Sequence, residues 1–239
     1  MTKQAIRERI WDDLEEQGLA RFPFPPHNRI PNFADARGAA EQLANQPEWE
    51  QAQTIKANPD APQLPVRRRA LRDGKIVYMA VPRLRDEKCF LRLDPAELED
   101  FDAATTVSGC SKHGVPVGPD AVEGVDLIVS GSVAVDETGG RIGKGEGYSD
   151  LEYAVLHELE LVDSETPVAT TVHDRQVVEA FETDDHDVPL DLIVTPERVI
   201  RPAEGEHSGG QKHEKPSGID WELLGTERRQ EIPVLDRMR

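Results

Sequence analysis

The segment Gly139 to Asp150 (GGRIGKGEGYSD) gathers the residue types that handle anions. Glycines at Gly140, Gly143, Gly145 and Gly147 let the backbone approach a ligand and turn its N–H groups inward, because no Cβ obstructs them. Arg141 and Lys144 supply positive charge for phosphate oxygens. Asp150 falls where a carboxylate can reach a phosphate-bound Mg²⁺, a cation that takes oxygen ligands. An apolar run precedes the loop (DLIVSGSVAV, 126 to 135) and a helical pattern follows it (Leu151 to Leu161). The loop therefore lies between a strand and a helix amino terminus, whose field favours anions. The spacing fits neither a Walker A loop nor G-x-G-x-x-G. On residues alone the segment is either a phosphate cradle or a glycine-rich turn with solvated charges.

Other chemistry-bearing residues are more scattered. His173-Asp174 follows an apolar run and reads either as a general base with its orienting carboxylate or as a hydrogen-bonded turn at a strand end. Cys89 and Cys110 have no CxxC partner, and Cys110 with His113 lacks a second ligand pair, so both cysteines read as small buried apolar residues and not as zinc ligands. Arg67, Arg68 and Arg69 form the densest basic run, expected on a solvated turn or helix face. Trp11, Trp49 and Trp221 lie on amphipathic stretches and are expected to pack.

The elements that must position the loop follow from periodicity. Ile6, Ile10, Trp11 and Leu14 recur at helical spacing, predicting an amphipathic helix that ends near Gly18 and carries Lys3 and Arg7 one turn apart. The prolines of residues 22 to 33 forbid a continuous helix or central strand, and Ala36 to Leu43 reads as a second helix. Short runs rich in Val and Ile follow at 54–58, 76–81, 126–135, 167–172 and 190–195. Consecutive apolar residues are what strands covered on both faces require, so the expected fold is α/β, three-layer, with a mainly parallel central sheet flanked by helices. One domain is expected over 1–202. A polar, glycine-containing linker follows over 203–217, then a C-terminal segment, 218–239, whose Ile219, Trp221, Leu223, Leu224, Ile232, Val234 and Leu235 can dock on the domain, the alternative being a partner-binding tail.

Composition narrows the partners. With 28 basic and 46 acidic residues the formal charge is −18, spread along the chain. Such a surface repels phosphate backbones and anionic lipid, which argues against nucleic-acid and membrane partners. It also resembles an acidic surface adapted to high salt. No signal-peptide pattern opens the chain, and the expected compartment is the cytoplasm.

The loop, in its surroundings, resembles that of the 5-formyltetrahydrofolate cyclo-ligase family, written roughly G-x-R-L-G-x-G-x-G-Y-Y-D. Lys3 and Arg7 reproduce the Lys-x-x-x-Arg of its first helix, and His186 to Thr195 (HDVPLDLIVT) resembles its closing motif. The resemblance spans about residues 3 to 200. It implies a cyclo-ligase or NagB-like fold and an ATP- and Mg²⁺-dependent closure of 5-formyltetrahydrofolate to 5,10-methenyltetrahydrofolate. Lys3, Arg7, Arg141, Gly143, Lys144, Gly145, Gly147, Tyr148 and Asp150 would then hold ATP. Arg141, Lys144 and Tyr148 would serve the reaction, and Asp150 and Asp187 the metal. Glu146 and Ser149 depart from the commoner pattern, and the family's folate-side stretch has no clear counterpart between Phe33 and Lys56. These features resemble the family's methenyltetrahydrofolate synthase domain-containing branch, for which a non-catalytic, nucleotide-binding or regulatory role is the alternative.

Overall fold

The computed structural model describes the chain apart from residues 82, 83, 85, 203–214, 223, 226–228, 230 and 239, with only the backbone of 236–238. Most of the expected linker, and Leu223, lie outside the described residues. The chain runs α1 (Lys3–Glu16), β1 (Ala20–Arg21), β2 (Asn32–Phe33), α2 (Ala36–Ala44), α3 (Pro47–Gln51), β3 (Thr54–Ala57), α4 (Leu64–Arg72), β4 (Ile76–Ala80) and β5 (Phe90–Leu93). It continues with α5 (Phe101–Ala104), α6 (Val107–His113), β6 (Val115–Val117), β7 (Leu127–Val129), β8 (Ala134–Asp136), β9 (Arg141–Ile142) and α7 (Tyr148–Glu158). The remaining strands are β10 (Val168–Thr171), β11 (Val177–Val178), β12 (Leu192–Val194) and β13 (Val199–Ile200).

Eight strands form the central sheet in the order β13-β12-β10-β7-β3-β4-β5-β6. The inner pairs β12/β10, β10/β7, β7/β3 and β3/β4 are parallel, and the antiparallel strands lie at the two ends. Parallel strands buried on both faces need uninterrupted apolar side chains, which Leu127–Val129 and Leu192–Val194 supply. From β3 the sheet grows outward through β4, and from β7 it grows the other way through β10 and β12. The loops leaving the carboxyl ends of β3 and β7 therefore diverge and leave a crevice, the usual ligand position in such sheets.

A smaller sheet, β11-β8-β9, carries the glycine loop. Helix α1 lies over it, burying Ile6, Ile10, Trp11 and Leu14 against Val133, Ala134 and Ile142. Thr2 caps that helix by accepting from the Ala5 N–H at 3.2 Å. The run 126–135 is thus two strands in two sheets and not one. The break is polar: the Thr170 hydroxyl donates to Ser130 O at 2.7 Å, and Ser132 Oγ pairs with Thr170 Oγ1 at 2.8 Å. Toward the carboxyl end, Ile219, Ile232, Val234 and Leu235 are buried within the main core cluster.

Arg67 is not solvated. It is fully buried in α4 and donates to Asn58 O (2.6 Å), Asp60 O (3.0 Å) and Thr105 O (3.0 and 3.1 Å). Arg68 and Arg69 are the surface members of the run, paired with Asp102 and Asp73.

Candidate active site

The glycine loop begins as a hairpin fixed by Asp136. Its buried carboxylate accepts from the Thr138 N–H (2.9 Å), the Thr138 hydroxyl (2.6 Å) and the Gly140 N–H (3.0 Å). That anchor starts β9, which delivers Arg141. The Arg141 guanidinium donates to Gly131 O at 3.0 Å and to Asp150 Oδ1 at 2.7 Å. It ties the end of β7 to the first turn of α7.

That helix starts at Tyr148, three residues earlier than periodicity indicates. Gly147 is its N-cap with φ +67°, a left-handed conformation that costs other residues more. Gly145, at φ +103°, lies against the Arg7 guanidinium, which would stand 3.4 Å from an added Cβ. Arg7 in turn donates from Nε to Gly143 O at 2.7 Å. The early start puts Asp150 in the first turn of α7 and exposes the helix amino terminus to the loop.

The loop forms one wall of a cleft of about 300 Å³, with Arg141, Gly143, Lys144, Glu146, Gly147, Tyr148 and Asp150 among its lining residues. Asn58, Pro59 and Asp60 after β3, and Ala80 and Val81 at the end of β4, form the facing wall, with Gly131 and Glu152 between. The cleft lies at the crevice where the β3 and β7 loops part. Of the residues expected at the site, Lys3, Arg7, Gly145 and Asp187 are not in its lining. Lys3 Nζ bonds Asp184 Oδ2 (2.7 Å) and Asp187 Oδ2 (2.5 Å), and burial alone would lower its pKa, but those two carboxylates hold it above the usual value. The next residue, Val188, donates its N–H to Asp150 Oδ1 at 3.2 Å, which links this outer group to the cleft.

Four carboxylates and two cations line the cleft. Burial opposes ionisation of Asp150, yet Arg141 and the Val188 N–H hold its pKa below the ordinary value. Glu146 pairs with Lys144 at 2.9 Å. Glu152 pairs with Lys56, which is almost wholly buried at the end of β3. Among the described residues Asp60 is the lining carboxylate without an ion-pair partner. Burial pushes its pKa up, with Lys144 and Arg67 opposing from a distance.

Two sites for a cation differ in fit. Asp150 takes both of its hydrogen bonds on Oδ1, so its second oxygen suits a hard divalent ion beside phosphate. Asp184, His186 and Asp187 bring ligand atoms within 4.8 Å of one another, but the Lys3 ammonium already holds both aspartates. His173 is part of a capped turn: its Nδ1 accepts from the Arg175 N–H, while Asp174 accepts from the Thr195 hydroxyl.

Periodicity missed Asp60, Lys56 and Glu152. One signal was present. A lysine inside the apolar run TIKAN cannot be buried without a partner, so Lys56 announces an acidic residue opposite.

The sequence model of the 5-formyltetrahydrofolate cyclo-ligase family matches residues 1–196. The chain belongs to that family. Two cyclo-ligase-family relatives are the methenyltetrahydrofolate synthase domain-containing proteins of Bos taurus, 44% identical over 244 residues, and of Mus musculus, 45% identical over 244 residues. Each alignment takes in 100% of this chain, which spans 62% and 63% of the two relatives' lengths. Among solved structures, the Aquifex aeolicus 5,10-methenyltetrahydrofolate synthetase superposes with a TM-score of 0.54 at 22% identity, over 87% of this chain and 98% of that one. The likeness concerns the fold: the cyclo-ligase architecture is shared. Among the described residues no helix is long and apolar enough to cross a membrane.

Proposed function

We propose that this cyclo-ligase-family chain closes 5-formyltetrahydrofolate to 5,10-methenyltetrahydrofolate with Mg·ATP. The observation that carries the reading is the cleft: Arg141, Lys144 and the glycine loop share its lining with Asp60, a half-buried carboxylate that has no ion-pair partner among the described residues. Arg141, Lys144 and the amides at Gly143 and Gly147 bind the phosphates, with Arg7 bracing the loop against Gly145. Lys3 and Asp187 form an outer rim that reaches the nucleotide once Lys3 leaves its aspartates. Asp150 would hold the Mg²⁺, with Asp187 joining it once Lys3 moved, and the ion would neutralise phosphate charge.

The formyl oxygen attacks the γ-phosphorus and ADP leaves. N10 then bonds to the activated formyl carbon as that carbon's oxygen departs with phosphate, and Asp60 accepts the N10 proton. Both steps ask for positioning and charge neutralisation more than for a protein nucleophile. Tyr148 walls the phosphate end from the pterin end.

Purified protein with Mg·ATP and 5-formyltetrahydrofolate should develop the absorbance of the methenyl product. ATP-dependent thermal stabilisation without that absorbance would establish instead the second reading, a nucleotide-binding member without turnover. The Lys144–Glu146 pair favours that reading, because it occupies a phosphate-binding cation.

Asp60→Asn separates stability from activity. The raised pKa of Asp60 means that ionising it costs stability as pH rises through its folded-state pKa, and the cost is absent below the ordinary value of 3.8. The variant should therefore melt a few degrees higher at pH 7 to 8, with the gain vanishing as the solution is acidified. Its cyclisation rate should fall about a hundredfold, as loss of a general base does.

A further inference from the structure

We propose that Glu152, held from behind by Lys56, stabilises the positive charge that appears on the ligand as the ring closes. The inference rests on the cyclisation reading above. The formyl substrate carries no charge at N5 or N10, whereas the product's N5–C–N10 unit is an amidinium with one delocalised positive charge. The balance is closed: the formyl oxygen leaves on phosphate, the C–O bond breaks as the C–N10 bond forms, and the N10 proton passes through Asp60 to the departing phosphate. The charge stays on the ring.

Asp60 serves as the proton acceptor, and among the three ion-paired carboxylates of the cleft the arrangement of cations singles out Glu152. Asp150 and Glu146 pair with Arg141 and Lys144, which themselves line the cleft, so each of those charges is cancelled where a ligand would feel it. Glu152 lines the cleft, but its partner Lys56 does not. Lys56 lies behind it at the end of β3, with Nζ 3.5 Å from Asn58 Oδ1. The pair is a fixed dipole with its negative end toward the ligand, oriented before anything binds.

Packing does not explain this pair. Both side chains are buried, Lys56 at 1% and Glu152 at 6% exposure. Two charges buried there contribute little net stability that apolar side chains of the same volume could not match. A carboxylate held in place by a buried ammonium, with its open side on the cleft, is instead what a developing cation needs.

Glu152→Gln should lower kcat for methenyl formation about ten- to a hundredfold. The KM for ATP and the thermal shift given by Mg·ATP should stay as in wild type. Affinity for the methenyl cation should drop about tenfold while that for the neutral formyl compound barely changes, and Glu152→Asp should recover part of kcat. Because Glu152→Gln strands the Lys56 charge, the paired variant Lys56→Met with Glu152→Leu provides a folded control that removes both charges. It too should lose kcat while keeping the ATP shift. Wild-type kcat and an unchanged preference for the methenyl cation in the paired variant would overturn the inference alone. Absence of product from the wild-type protein would overturn the cyclisation reading, and this inference with it.

Discussion

Arg141→Met is expected to abolish the thermal stabilisation given by Mg·ATP and to lower the stability of the unliganded protein by about 3–5 kcal/mol. The two effects have separate causes. The guanidinium is buried and joins Gly131 O to Asp150 Oδ1, so its removal leaves a partly buried carboxylate without its cation. Arg141 also helps hold the Asp150 pKa low, and a group with a depressed pKa contributes stability that is complete above its ordinary value and is lost as pH falls through the folded-state value. The gap between wild type and variant should hence be widest near neutrality and close in acid, as pH-dependent urea melts would record. Ligand binding is the second effect. Nucleotide at about a hundred times its Kd stabilises by roughly 2.7 kcal/mol, and the variant should show almost none of it. Adding Asp150→Asn to Arg141→Met should restore much of the stability and none of the ATP shift. A double variant that regained both would remove Arg141 from the phosphate site.

Arg67→Met should cost about 3 kcal/mol or more, and Arg67→Lys should not rescue it. The guanidinium serves three carbonyl oxygens, at Asn58, Asp60 and Thr105, and each buried acceptor left unmet costs about 1–3 kcal/mol. Lysine brings one ammonium that cannot span the positions met by a planar fork. Denaturant melts would show a lower midpoint with an unchanged slope. Function should suffer on one side only. Two of the three carbonyls belong to the segment that presents Asp60, so cyclisation should fall while ATP still stabilises the folded variant. If Arg67→Lys melted like wild type, the fork geometry would be irrelevant.

Arg67 also marks where the sequence stops being readable. A run of three arginines has the look of surface, and what buries the first is a set of carbonyls brought in from Thr105 and from the loop after β3. Periodicity sees side-chain polarity and not such distant acceptors. The parallel core was legible because consecutive Val, Ile and Leu suit strands covered on both faces, and β3, β4, β10 and β12 form where those runs lie. The short antiparallel strands β5 and β6 at the end of the sheet have no such run. The break between β7 and β8 was hidden inside an apolar stretch, since Ser130 and Ser132 act through hydrogen bonds to Thr170 and leave no gap in hydropathy. Of the cleft, the loop was visible in its glycines and basic residues. The opposite wall was not, because Asp60 acquires its character from burial, and Glu152 becomes interpretable only once Lys56 is seen behind it.

The buried tail residues bear on how the protein can be handled. The family match stops at residue 196, but Ile219, Ile232, Val234 and Leu235 fill part of the same interior as the sheet. Each such side chain is worth about 1.5–3 kcal/mol when fully buried, a sum comparable with the whole margin that keeps an ordinary domain folded. A truncation drawn at the family boundary would open an oily furrow along the core and give an aggregating fragment, not a minimal folded domain. The alignments with the bovine and murine proteins likewise run past residue 196 through the tail of this chain.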